Sequence, residues 1–224
     1  KVRTEVSVAP IDAKSNEPMP PSWDIATQGS PFPGLKAFDE KYEAVYFGRA
    51  REVAELVRRL SIQRLQVIVG ASGSGKSSLV RAGLLPKLRD NAIPGSAGWS
   101  RVTVKPGKTP FVNLADALIS QTPELAGDPV EHVSRCEKLA EVLETMPDNL
   151  HRILASVFYN RPGTQVVLFI DQFEELFTLC KDEAERRAFI DGLVTACADE
   201  VNGQTVVVIT LRADAQSKAV KVGR

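Results

Sequence analysis

The stretch LQVIVGASGSGKSSLVRAGLLPKL, residues 65 to 88, constrains the fold more than any other part of the 224-residue chain. A short apolar run meets a glycine–serine turn, one lysine and then an amphipathic stretch. Gly70, Gly75, Lys76 and Ser77 satisfy the spacing G-x-x-x-x-G-K-[ST], in which each residue type has a physical task. Glycines let the backbone curl so that successive N–H groups point inward at phosphate oxygens. Lys76 reaches the β- and γ-phosphates as a point charge, and Ser77 offers a hydroxyl to Mg²⁺. The N-terminus of the next helix adds its dipole. A flexible glycine–serine linker has no need of a lysine between a strand and a helix. Gly70, Ala71, Ser72, Gly73, Ser74, Gly75, Lys76, Ser77 and Ser78 are therefore read as a nucleoside-triphosphate cradle.

Around that loop, strand and helix patterns alternate. AREVAELVRRLS places Val53, Leu56, Val57 and Leu60 at helical spacing, with Glu55 and Arg59 set for an i,i+4 pair. LQVIV reads as a short buried strand. Residues 76 to 90 read as a helix in which Pro86 marks a kink or early stop. SRVTV is a second strand, FVNLADALIS a helix, and residues 124 to 160 are helical with breaks at Gly127–Pro129 and Pro147. QVVLFI is a third strand, apolar throughout as a doubly covered parallel strand should be. A helix over 173 to 199, with a break near Lys181 and Asp182, leads to the fourth strand, QTVVVIT. This alternation predicts an α/β fold of three layers, a mostly parallel sheet with helices on both faces. Residues 1 to 33 differ. Pro10, Pro18, Pro20, Pro21, Pro31 and Pro33 interrupt every helix there, so the segment reads as a linker from an upstream domain, with KVRTEVSV a short strand. The core is expected over 34 to 224.

A second acidic element completes the phosphate chemistry. VVLFIDQFEELF ends its apolar run at Asp171, the place for a carboxylate that holds Mg²⁺ through water. Glu174 and Glu175 follow just off the strand tip, where a carboxylate orients or deprotonates an attacking water. An acidic first helical turn explains the same pair, because it suits the helix dipole. Between the two glutamates the choice stays open, spacing leaning to Glu175. In TVVVITLRAD, Arg212 is expected immediately beyond the fourth strand, facing the crevice outside the carboxyl ends of parallel strands. A guanidinium there distinguishes triphosphate from diphosphate. The alternative is a surface arginine paired with Asp214.

Charge and composition exclude other classes. Twenty-eight basic and 28 acidic residues balance, which argues against a general nucleic-acid surface. No apolar run approaches the roughly 20 residues that span a bilayer. KVRTEVSVAP has no initiator Met and no apolar signal core, so the chain reads as a piece of a longer cytoplasmic protein. Cys136, Cys180 and Cys197 form no close-spaced pair, and neither a zinc site nor a disulfide framework is suggested. His132 and His151 read as surface residues, since no carboxylate–histidine cluster surrounds them in the sequence.

PFPGLKAFDEKYEAVYFGRAREVAELVRRL, in front of these elements, makes the pattern specific. From about residue 31 to 214 the chain resembles the NTPase module of the STAND class, signal-transduction ATPases related to NACHT and AP-ATPase domains. It is similar to the prokaryotic branch carrying PGL-AF, FFGR, GxSGSGKSSLVRAGLLP, DQFEELF and LRAD. The resemblance implies ATP or ADP with Mg²⁺, and Mg²⁺-dependent hydrolysis. It sets Phe47, Gly48 and Arg49 near the adenine, although Arg49 also reads as a plain helix-start residue. It puts Arg212 where relatives sense the γ-phosphate. For the full-length protein it implies an upstream effector domain, a downstream sensor and self-association, in bacterial signalling or antiviral defence. Relatives continue past LRAD into a fifth strand and a lid, which LRADAQSKAVKVGR does not carry. A remodelling ATPase of the AAA+ type and a nucleotide-binding scaffold without turnover are the competing readings. No N-K-x-D follows the third or fourth strand, which disfavours a GTPase, and no L-S-G-G-Q precedes DQFEE, which disfavours a transporter ATPase.

Overall fold

A computed structural model describes residues 23–34, 36–122, 127–158, 165–198 and 205–215. Four strands, β1 (Leu65–Gly70), β2 (Ser100–Val104), β3 (Val166–Ile170) and β4 (Thr205–Arg212), form one sheet in the order β1-β4-β3-β2. Every pairing is parallel, and the register sets Gly70 against Arg212, Ile170 against Ile209 and Val104 against Ile170. All four strands thus end at one edge of the sheet, as the sequence predicts for a phosphate-binding α/β fold.

Side chains on a strand alternate between faces, and both faces of the two central strands are apolar. Val166, Leu168 and Ile170 join Val207, Ile209 and Leu211 in one core. Val167 and Phe169 join Val206 and Val208 in the other. Helices α1 (Ile25–Gln28), α2 (Ala50–Leu60), α3 (Lys76–Ser78) and α4 (Leu85–Arg89) come early in the chain, and α2, α4 and the segment Leu79–Leu84 between α3 and α4 cover the second core. The first core is covered by α5 (Pro110–Ser120), α6 (Pro129–Thr145), α7 (Leu150–Val157) and α9 (Glu183–Ala198), with the short α8 (Glu175–Thr178) at the strand tips. Three layers result. Burying a side chain such as Phe169 contributes about 2–3 kcal/mol.

Several local expectations change. Between α3 and α4, Leu79–Leu84 is a π-helical segment, with Leu85 N–H reaching Val80 O. Pro86 lacks an N–H and its ring crowds the carbonyl four residues back, and the widened turn just before it lets the helical run continue to Arg89 instead of stopping. Gly83 lies in this turn; a Cβ there would stand 2.5 Å from Val53 Cγ2, so only glycine admits α2 this close. β1 is not fully buried but an edge strand, with Gln66 and Ile68 inside while Leu65 is 38% and Val67 41% exposed. Arg212 closes β4 and does not lie beyond it. The break near Lys181 falls between α8 and α9, where Asp182 Oδ1 accepts the N–H groups of Ala184 at 2.8 Å and Glu185 at 3.2 Å.

In the proline-rich segment, Ile25–Gln28 forms a helical turn that the prolines were expected to forbid, and the Trp23 ring stacks on Tyr42 at 5.3 Å. The strand expected over KVRTEVSV lies outside the described residues, as do 123–126, 159–164, 199–204 and 216–224. Packing of α5 on α6 also sets Asp116 Oδ1 2.7 Å from His132 Nε2, so His132 has the carboxylate neighbour that sequence spacing does not show. All three cysteines are free. No helix among the described residues is long and apolar enough to cross a membrane.

Candidate functional site

The chain leaves β1 at Gly70 and enters α3 at Lys76. Gly73 (φ +72°) and Gly75 (φ +80°) take left-handed conformations with open space where a Cβ would point. These curl the loop so that α3 starts with Leu79 N–H on Gly75 O at 2.8 Å. A Cβ on Gly70 would stand 2.9 Å from Ser74 Oγ, so a side chain there would require the Ser74 hydroxyl to shift. The Lys76 ammonium lies over the loop and donates to Gly70 O at 3.0 Å and Ala71 O at 2.8 Å. Burial pulls this amine below its usual range, while the charge of Glu174 works in the opposite direction. Open backbone curl and a folded-in ammonium are what a polyphosphate requires. The loop fits the group.

The segment preceding α2 reaches the same loop. Arg49 donates one guanidinium nitrogen to Ser74 O at 3.3 Å and another to Glu52 at 3.2 Å. Gly48 beside it has φ +81°, and Phe47 is 62% exposed. Ser78 has a different employment from the rest of the cradle: its buried hydroxyl accepts the N–H of Phe38 at 3.1 Å, fastening the PGLKAF segment to the loop helix.

Asp171 follows β3 and is 2% exposed. Its Oδ1 accepts the Ser77 hydroxyl at 2.6 Å and the Thr210 hydroxyl at 2.8 Å, and its Oδ2 accepts Arg81 at 2.9 Å. A buried carboxylate needs such donors, and charge-assisted bonds of this kind are about twice as strong as neutral ones. The backbone then turns sharply. Gln172 adopts φ +56°, a conformation costing a non-glycine residue roughly 1–2 kcal/mol. It is held there because Gln172 N–H donates to Thr210 Oγ1 at 3.0 Å and Phe173 N–H to Thr210 O at 2.9 Å. The turn returns Phe173 to the core and lifts Glu174 and Glu175 past the strand tip.

The two glutamates have different neighbours. Glu174 Oε2 accepts the backbone N–H of Arg212 at 3.2 Å, and Glu174 exerts the largest single charge effect on Lys76. Glu175 faces Lys105 and accepts a backbone hydrogen bond from Gly107; burial pushes its carboxyl above the usual range, only partly countered by Lys105. Arg212 forks onto Asp214, with Nε at 3.1 Å and the second nitrogen at 2.7 Å, and Asp214 raises its pKa further. The structure thus gathers Lys76, Ser77, Asp171, Glu174 and Arg212 at one edge, with Glu175 turned to a separate pair of partners. Arg81, Thr210 and Gln172 were missed from sequence. Arg81 stands four residues after Ser77, and Thr210 is the one polar residue within VVVIT, so both left a signal. The left-handed Gln172 left none.

The family model described as Novel STAND NTPase 1 matches residues 31–223. The chain belongs to this family. Within this novel STAND NTPase module, the loop from Gly70 to Ser77 lies beside Asp171 and the end of β4. No curated protein matches the chain. Among solved structures, the novel STAND module is similar to the ORC2 protein of Aeropyrum pernix in its ADPNP–ADP complexes. Sequence identity is 16% and the TM-score 0.45, over 79% of this chain and 46% of that one. The module therefore spans less than half the length of that protein.

Proposed function

We propose that this novel STAND NTPase binds ATP with Mg²⁺, hydrolyses it slowly, and uses the ATP and ADP states to control self-association and activation of an attached effector. The observation that carries this reading is the setting of Arg212. Its guanidinium stands at the phosphate edge yet is engaged by Asp214 in a solvent-exposed pair. Exposed ion pairs contribute only about 0–1 kcal/mol, so phosphoryl oxygens can take the guanidinium at little cost. A ligand shifts a switch only by its differential affinity for the two states. An arginine released from Asp214 by a γ-phosphate supplies such a difference.

The remaining roles follow from the neighbours described. Lys76 and the loop amides hold the β- and γ-phosphates, and Phe47, Gly48 and Arg49 border the base, supported by the Arg49–Ser74 contact. Ser77 and Asp171 offer the hard oxygen donors that Mg²⁺ prefers. When bound there, Mg²⁺ supplies charge neutralisation at the phosphate oxygens. Arg81 and Thr210 keep Asp171 aimed at Ser77. Glu174 is the better-placed water-orienting carboxylate because it shares Lys76 and Arg212 as neighbours, which moves the preference away from Glu175. In the wider protein, an effector upstream, a sensor downstream and a cytoplasmic role in signalling or antiviral defence complete this reading.

The test is light scattering on the full-length protein and its Arg212→Ala variant, each with ATP and with ADP. The variant is expected to bind nucleotide and to lose ATP-driven assembly. Equal assembly by both proteins would overturn the switch. Calorimetry on Lys76→Ala, expected to bind Mg-ATP at least tenfold more weakly, checks the cradle itself, since a charge-assisted bond contributes about 1.5–3 kcal/mol.

A further inference from the structure

Away from the nucleotide loop, the packing of α5 on α6 brings together Asp116, His132 and Cys136, whose ligand atoms all lie within 4.8 Å of one another. His132 Nε2 is 2.7 Å from Asp116 Oδ1, and Cys136 Sγ is 4.0 Å from the same oxygen. We propose that these three side chains form a zinc site with a fourth, open position taken by water.

The geometry is that of a site built on rigid elements. His132 and Cys136 are four residues apart on α6 and therefore share one face of the helix. The register of α6 is pinned at its start, where Asp128 Oδ1 accepts the N–H groups of Val130 at 2.8 Å and Glu131 at 2.9 Å. Asp116 comes from the middle of α5 and reaches across to both. Ligands of a tetrahedral zinc ion stand about 3.3–3.8 Å apart, given bonds of about 2.0–2.3 Å. The 2.7 Å contact must open and the widest one close, by shifts of about an ångström or less that side-chain rotation supplies without moving either helix.

Donor chemistry selects the ion. One sulfur, one imidazole nitrogen and one carboxylate oxygen form a borderline-soft set, suited to Zn²⁺ and unsuited to the hard, oxygen-seeking Mg²⁺ of a phosphate site. Burial also distinguishes the members. Cys136 is buried, His132 half-buried and Asp116 exposed, so an ion enters from the Asp116 side and meets sulfur deepest. On binding, the Cys136 S–H proton leaves to solvent as the sulfur–zinc bond forms. The imidazole gives up its hydrogen bond to Asp116, and both groups then face the ion. α5 follows β2, at the edge of the sheet opposite β1 and its phosphate loop, so the two sites are separate.

Cobalt(II) is the probe, because its spectrum reports thiolate ligation. Titrated into the intact chain, one equivalent is expected to give four-coordinate visible bands and a sulfur-to-cobalt charge-transfer band, both abolished by one equivalent of Zn²⁺. Cys136→Ser is expected to remove the charge-transfer band, and His132→Ala and Asp116→Ala each to weaken cobalt binding at least tenfold. His132 and Asp116 are accessible enough that their variants keep the fold even if the cysteine variant does not. Asp171→Asn is expected to leave the band unchanged, separating this site from the nucleotide loop. The proposal fails if wild type shows no thiolate band, if the band survives Cys136→Ser, or if His132→Ala and Asp116→Ala bind cobalt as tightly as wild type; the last result would leave His132 and Asp116 as a plain tie between two helices.

Discussion

At the carboxyl end of the sheet, Asp171 is held by Arg81, Ser77 and Thr210; on α2, Glu55 is held by Arg58 and Arg59. The distances are alike. Asp171 meets Arg81 at 2.9 Å, and Glu55 meets Arg58 at 2.8 Å and Arg59 at 2.6 Å. Surroundings separate the two. Asp171 is buried between a helix and two strands, whereas Glu55 lies on an open helix face. Removing one partner inside strands the others without water, while on the surface water takes the partner's place. Equal geometry therefore does not mean equal consequence. The buried cluster fixes the Asp171 carboxylate at the strand tips, and the surface fork only decorates α2.

The largest effect is expected from Asp171→Ala. It leaves two hydroxyls and the largely buried Arg81 guanidinium without their acceptor, costing about 3 kcal/mol of stability. Urea unfolding measures this directly, and a loss under about 1 kcal/mol would erase the contrast with the surface pair.

Thr210→Val comes next. It keeps the side chain's shape but removes the donor to Asp171 and the acceptor of Gln172 N–H, for a loss of about 1–2 kcal/mol. Faster hydrogen exchange at the Gln172 amide would mark the strained turn as the place that loosens. Unchanged exchange there would mean Thr210 is not what holds the left-handed residue.

Glu55→Gln should have the smallest effect, a narrow gap in denaturation midpoint at neutral pH and low salt. The hydrogen bond from Arg58, then that from Arg59, hold the Glu55 carboxyl down at about 2, against an ordinary value of 4.5. A depressed folded pKa means that the contribution is complete above 4.5 and fades as pH falls from there through about 2. Unfolding curves of wild type and variant should therefore converge across that window, and the already small gap should shrink further in high salt. A gap that persists at high salt would show Glu55 to be better shielded than its exposure implies.

Some of this architecture is local and was legible in the chain. A tight loop between a strand and a helix needs consecutive residues, so the glycine spacing from Gly70 to Ser77 is written in order, and the strand-ending aspartate of VVLFID declares itself by its apolar run. The apolar runs of β3 and β4 likewise told of strands covered on both faces, because periodicity records which faces must be dry. Periodicity does not record neighbours. Only the tertiary structure decided that β1 stands at the edge beside β4, leaving Leu65 and Val67 open. Only it could pair Ser77 with Asp171 across 94 residues, Arg81 with Asp171 across 90 and Asp116 with His132 across 16. It also decided that Gln172 bends left-handed, since that strain is sustained by Thr210 on another strand and not by anything adjacent in the chain. Contacts between distant segments depend on how whole layers pack, and a sequence read in windows carries the propensity of each layer but not the register in which the layers meet.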